Sequence, residues 1–226
     1  MNETARHYLN RLDQRVQGML LMIHELMALA KSQSRQPQTE HKPVNLKIIA
    51  IHIQQNSQEE VVKKKLAFVV TIPEDLPEIN GDPEMVEQMF ENLISNAIKY
   101  TPEGGRLGMT FGRETNETVR IVVSDNGIGI HKSDLPRLFT HFFRASNVQD
   151  VIGSGLRLTI VKEIVAKHSG QIQVESEERI GTTVTIYLPA APGEPHRTSS
   201  LWQREVSVKT RVAEIGLFRS DPYSYF

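Results

Sequence analysis

The sequence predicts an α+β protein: a two-layer α/β sandwich with a mixed, mainly antiparallel sheet covered by helices on one face, preceded by a long helix of coiled-coil type. Three observations predict it. Near the N-terminus, apolar residues recur at alternating steps of three and four, the seam of a helix that packs on another helix. A polar, proline-bearing stretch follows, and beyond Val44 strand patterns are grouped with amphipathic helical patterns. The chain thus divides into a leading helix over 1–35, a linker over 36–43, a main domain over 44–189 and an irregular tail over 190–226.

Taken in order, the seam is Leu9, Leu12, Val16, Met19, Ile23, Leu26 and Ala30, with Asn2, Glu3 and Thr4 as start signals. One helix cannot bury that seam alone, so it calls for a partner from a second copy or from upstream sequence. A short strand is expected at 43–46, then an amphipathic helix to about Lys63 and a strand over 66–72 closed by Pro73. Asp82-Pro83 is an N-cap followed by proline at the first helical position, opening a helix through Met85, Val86, Met89, Leu93 and Ala97 to Tyr100. It stops at Thr101-Pro102-Glu103-Gly104-Gly105, a strong turn signal. Hairpin strands follow at 106–113 and 119–124, then a glycine-rich turn, a short helix at 134–139, a long polar loop, a helix over 155–167 and strands at 171–176 and 182–188. The tail shows no clear periodicity, with a short helix allowed near 206–217.

Composition excludes several function classes. The 226 residues carry 26 Lys+Arg against 27 Asp+Glu, a net charge of −1, which gives no general case for nucleic-acid or membrane binding. A content of 39% hydrophobic and 23% charged residues is that of a soluble globular domain. The chain has no cysteine, so disulfides and thiolate metal sites are excluded, as suits the cytoplasm. Its longest apolar runs, such as 18–23, fall well short of the roughly 20 residues of a membrane-spanning helix.

Four segments carry chemistry. Asn92, Asn96 and Lys99 stand four and three apart on one helix face, while Met89, Leu93 and Ala97 are expected to point elsewhere. Amide oxygens are hard, neutral ligands suited to Mg²⁺. Asp125-Asn126-Gly127-Ile128-Gly129-Ile130 follows a strand; its carboxylate can accept a hydrogen bond from an amine such as that of adenine, and Gly127 and Gly129 let backbone approach a flat ring. Gly153-Ser154-Gly155-Leu156 stands directly before a helix, where free N–H groups and the positive dipole end favour phosphate. Between the last two lies Leu138-Phe139-Thr140-His141-Phe142-Phe143-Arg144, aromatic and ending in a cation that can reach a terminal phosphate. Taken singly, these read more readily as a solvated helix face, a turn, a helix start and core. Their order and spacing set them apart.

That ordered set resembles the histidine-kinase branch of the ATPase superfamily shared with gyrase, the heat-shock chaperone ATPases and the MutL mismatch-repair proteins, over about 44–189. Residues 91–101 look like its N box, 125–130 its first glycine box, 139–144 its F box, 153–158 its second glycine box, and Gly181-Thr182-Thr183 its closing element. The resemblance implies an ATP·Mg²⁺ site. In it Asn96, helped by Asn92, would coordinate Mg²⁺, Lys99 would meet phosphate, Tyr100 would line the pocket and Asp125 would recognise adenine. Arg144 would touch the terminal phosphates, Phe139, Phe142 and Phe143 would anchor the loop, and Gly127, Gly129, Gly153, Ser154, Gly155, Leu156 and Thr182 would complete the nucleotide site. The implied reaction is transfer of the ATP γ-phosphoryl group to a histidine, with Asn92, Lys99 and Arg144 as the catalytic set. An amide at 92, where gyrase-like relatives carry a glutamate base, argues against hydrolysis. The leading helix looks like the second helix of the kinase dimerisation hairpin. The implied partners are a second copy through that helix and a response-regulator receiver domain, and the implied location is cytoplasmic, including the cytoplasmic part of a membrane-bound sensor.

Two features depart from the family pattern. His24-Glu25 lacks the continuation expected of a phosphoacceptor, and His7, His41, His52, His131, His141, His168 and His196 are in no such context, so the acceptor histidine is expected from outside this chain. Arg157 stands where the second glycine box has its later glycine, and a net cost to loop closure over the triphosphate is expected there. A serine kinase of the anti-sigma-factor type and an ATP-binding pseudokinase stay open as alternatives.

Overall fold

A computed structural model of the chain describes residues 42–115, 117–148 and 153–191, together with residues 6, 8, 12, 16, 19, 23 and 27. Strand β1 (Lys42–Val44) takes in the end of the stretch read as linker and leads through Asn45 into α1 (Leu46–Asn56). Asn45 caps that helix, its side-chain oxygen accepting from the Lys47 and Ile48 N–H groups. The single helix expected to Lys63 is broken at Ser57, whose hydroxyl donates to the Ile53 carbonyl at 2.8 Å, and α2 (Gln58–Lys63) starts anew.

Next come β2 (Ala67–Thr71), β3 (Ile79–Gly81), α3 (Pro83–Tyr100), β4 (Arg106–Thr115), β5 (Thr118–Asp125), α4 (Arg157–Lys167), β6 (Gln171–Glu177) and β7 (Gly181–Pro189). Strand β3 has no counterpart in the sequence reading. It is short, bounded by prolines, and formed by antiparallel pairing with β1, a tertiary partner that local pattern does not announce. The main sheet has the order β2-β4-β5-β7-β6; β2 and β4 are parallel and the remaining neighbours antiparallel. This is the mixed, mainly antiparallel sheet that the pattern predicts. The helix expected at 134–139 is only a 3₁₀ turn, Leu135–Arg137, and a second 3₁₀ turn, Ser146–Val148, interrupts the loop read as irregular.

The core lies between sheet and helices. Leu107, Met109 and Phe111 of β4, Val119, Ile121 and Val123 of β5, and Val184, Ile186 and Leu188 of β7 occupy alternate, inward positions and are buried. Against them pack α1, α3 and α4; Phe90 of α3 meets Phe111 edge-on, with ring centroids 5.7 Å apart. The seven described N-terminal residues are helical and exposed, and Tyr8, Leu12, Val16, Met19, Ile23 and Met27 form an apolar stripe open to solvent. Leu9, Leu26 and Ala30 of the expected seam, His24, and the tail beyond Ala191 lie outside the described residues.

Candidate functional site

The site is built on the C-terminal turns of α3. At its start, Asp82 Oδ1 accepts from the Glu84 and Met85 N–H groups at 3.0 and 3.3 Å, with Pro83 in the first turn. At its end, carbonyls that a helix leaves without partners are all engaged. Ala97 receives the Thr101 N–H and hydroxyl, Ile98 and Lys99 receive the Lys64 ammonium at 2.7 and 3.0 Å, and Tyr100 receives the Ile128 N–H at 3.1 Å. The turn that carries Asn96, Lys99 and Tyr100 is thereby tied to α2 on one side and to the loop after β5 on the other.

Asp125 ends β5 opposite Thr182 of β7. Burial pushes its carboxyl above the ordinary carboxylate range, and N–H bonds from Gly127, at 2.9 Å, and Thr182 pull the other way. The result is a half-buried acceptor held in one orientation at a strand end. Beyond it the chain folds back over the helices. Asp134 Oδ2 accepts the N–H and hydroxyl of Ser146 at 2.7 and 2.8 Å, bonds that hold this carboxyl below its ordinary range. The Asn147 amide donates to the Gly129 carbonyl at 2.9 Å, and Arg144 to the Val148 carbonyl.

At Gly155 the backbone φ is +76°, and a β-carbon there would lie 2.5 Å from the Phe143 carbonyl oxygen, so this glycine is required both by conformation and by contact. A β-carbon on Gly153 would lie 2.7 Å from the Lys99 ammonium nitrogen; bare backbone at 153 leaves that cation facing the loop. Ser154 Oγ accepts the Leu156 N–H at 3.1 Å and turns the chain into α4.

These segments enclose a cavity with about 1030 Å³ of open space, its mouth and the solvent in it included. Of the residues that the sequence singled out, Asn96, Lys99, Tyr100, Asp125, Gly129, Arg144, Gly153, Ser154, Gly155 and Thr182 line it together. Three others stand outside the lining. The Asn92 amide donates to the Gln88 carbonyl of its own helix at 2.9 Å; Gly127 is buried under the Tyr100 carbonyl; Leu156 is fully buried ahead of α4. Among the aromatics Phe143 lines the cavity, Phe142 is exposed, and Phe139 lies under the Lys162 ammonium.

One expectation is corrected: Leu93 and Ala97 do not point away from Asn96 but line the same cavity. A flat ring needs an apolar floor as well as polar contacts, and α3 supplies both from neighbouring positions. The sequence reading missed Lys64, one of three consecutive lysines, because only the packing of α2 on α3 shows which of them is turned inward; it also missed Ser95, a partner of Arg157.

Residues 81–192 match the family described as Histidine kinase-, DNA gyrase B-, and HSP90-like ATPase. That segment is a domain of this ATPase type, homologous to the ATP-binding catalytic domains of sensor histidine kinases. It is 31% identical over 168 residues to the adaptive-response sensory kinase SasA of Synechocystis sp. strain PCC 6803, an alignment that takes in 74% of this chain and 44% of that protein. The chain thus spans less than half the length of that relative. Among solved structures, the mycobacterial sensor histidine kinase MprB superposes with a TM-score of 0.57 at 29% identity, covering 68% of this chain and 99% of that one. ShkA, solved full-length with AMPPNP, gives a TM-score of 0.69 at 22% identity over 87% of this chain and 41% of ShkA. That likeness concerns the fold. A domain of this ATPase type implies ATP binding, and among the described residues no helix is long and apolar enough to cross a membrane.

Proposed function

We propose that this chain binds ATP with Mg²⁺ and serves as the catalytic part of a two-component histidine kinase, passing the γ-phosphoryl group to a histidine supplied from outside this chain. The observation that carries this reading is the polarity of one cavity: a half-buried Asp125 carboxylate in one wall, and Asn96, Lys99 and the bare backbone of Gly153 in another. That donor set fits a nucleoside triphosphate. Asp125 accepts the adenine amine and Tyr100 lines the ring's berth; Asn96, with Asn92 turned from its own helix, offers amide oxygen to the metal; Lys99 and Arg144 meet phosphate. Bound Mg²⁺ would neutralise phosphate charge in a transfer that depends on positioning more than on proton transfer. Asn92 cannot act as a base, which favours transfer over hydrolysis.

The exposed stripe from Tyr8 to Met27 supports a second copy as the partner of the leading helix, and a receiver domain is the proposed acceptor of the phosphoryl group in the whole kinase. Calorimetric titration with ATP, with and without Mg²⁺, is the test. Wild type should bind ATP more tightly with the metal, and Asn96→Ala should lose most of that difference. ATP affinity in the alanine variant that responds to Mg²⁺ as in wild type would remove Asn96 from the metal. Phosphotransfer in trans to a helical hairpin bearing a histidine then distinguishes a kinase from an ATP-binding module.

A further inference from the structure

The departure at 157 is a built feature of the site. Arg157 opens α4 in ordinary helical conformation, without positive φ, while the left-handed turn and the tight backbone approach both fall at Gly155. Nothing in the backbone conformation at 157 requires glycine. Its guanidinium instead crosses to α3, where Nη1 donates to Ser95 Oγ at 2.5 Å, and it lines the same cavity as Asn96 and Lys99.

Position along α3 gives this contact its meaning. The loop after Asp125 meets α3 at its last residue, through the bond from Ile128 to the Tyr100 carbonyl. Ser95 stands five residues earlier, roughly 7 Å along the helix axis at about 1.5 Å per residue. Three cations line the cavity, Lys99, Arg144 and Arg157; of the two that belong to α3 or are bonded to it, Lys99 comes first along that axis from Asp125 and Arg157 second. Resting on the reading that adenine sits at Asp125, we propose that Arg157, held by Ser95, is a cation for the outermost phosphate, so that this chain discriminates ATP from ADP through a side chain in place of a glycine. The Ser95 hydroxyl fixes a long side chain that otherwise loses rotamer freedom on binding, and the fork of the guanidinium suits bidentate contact with phosphate oxygens.

The test measures Kd for ATP and for ADP by calorimetry at fixed Mg²⁺ and salt, on the full chain. Arg157→Gly should weaken ATP by about tenfold and ADP by much less, so the ATP/ADP preference collapses. Arg157→Gln, which keeps a polar group for Ser95 but no charge, should behave like the glycine variant. Ser95→Ala should move the preference in the same direction by a smaller factor. A glycine variant that binds ATP as tightly as wild type, or more tightly, overturns the proposal, as does an equal loss for both nucleotides. Circular dichroism establishes that each variant is folded, and the glutamine variant carries the test if glycine frays α4. The underlying reading fails separately: Asp125→Asn would then bind both nucleotides as wild type does, whatever the Arg157 variants show.

Discussion

The Lys64 ammonium donates to the Lys99 carbonyl at 3.0 Å, so a residue of the short segment after α2 caps the helix whose last turns form the site. The same nitrogen donates to the Ile98 and Thr101 carbonyls at 2.7 and 2.8 Å, a three-donor cap at the negative end of the α3 dipole. Lys64→Met retains the apolar stem and removes the donors. We expect a loss of about 1–3 kcal/mol in urea unfolding, as partly buried carbonyls lose their partners. ATP affinity should fall with it, because Lys99 and Tyr100 lose their fixed frame. Unchanged stability would mean that water replaces the ammonium without cost.

A second tie joins the opposite ends of the two long helices. His168, buried after α4, donates through Nδ1 to the Ile164 carbonyl at 2.8 Å and accepts the Asp82 N–H through Nε2 at 3.0 Å, so its ring is neutral with the proton on Nδ1. A β-carbon on Gly81 would lie 2.4 Å from the ring Cδ2. His168→Ala should cost about 2–4 kcal/mol, from an unpaired N–H and a void. Gly81→Ala should cost about 1–3 kcal/mol with the ring present and much less without it. The double-mutant cycle in urea measures that coupling, and strict additivity would refute the contact.

Asp125→Asn should separate binding from stability. Because burial raises the folded-state pKa of this carboxyl, its contribution to stability is fully present below the ordinary value of 3.8 and is lost as pH rises through the folded value. The ionised group therefore costs stability at neutral pH. The asparagine variant should melt higher than wild type at pH 7, with the difference shrinking on acidification, and should bind ATP about tenfold more weakly. A variant that melts lower at pH 7 would show that the bonds from Gly127 and Thr182 outweigh desolvation.

The exposed apolar stripe on the leading helix predicts self-association. Light scattering should report a dimer, and Met19→Glu combined with Ile23→Glu should shift it to monomer while the unfolding of the catalytic domain is unchanged, since both side chains are exposed. A wild-type protein that stays monomeric at high concentration would count against the helix as a dimer element.

Much of this molecule is written locally. The Asp82-Pro83 cap, the apolar faces of α3 and α4, the alternation in β4, β5 and β7 and the order of the glycine-rich segments are each set by a few neighbouring residues, because capping, helical period and strand period are local properties. From these the sequence by itself determined the α+β class, the ATPase family and the segments that meet in the cavity. Tertiary structure alone decided the rest. It paired β3 with β1, turned Lys64 rather than Lys63 or Lys65 onto the end of α3, put Leu93 and Ala97 in the cavity wall, and laid the Arg157 guanidinium on Ser95. Each of these is a contact between residues distant in sequence, whose partner is fixed only when the sheet and helices have packed, and no periodicity within a segment encodes it.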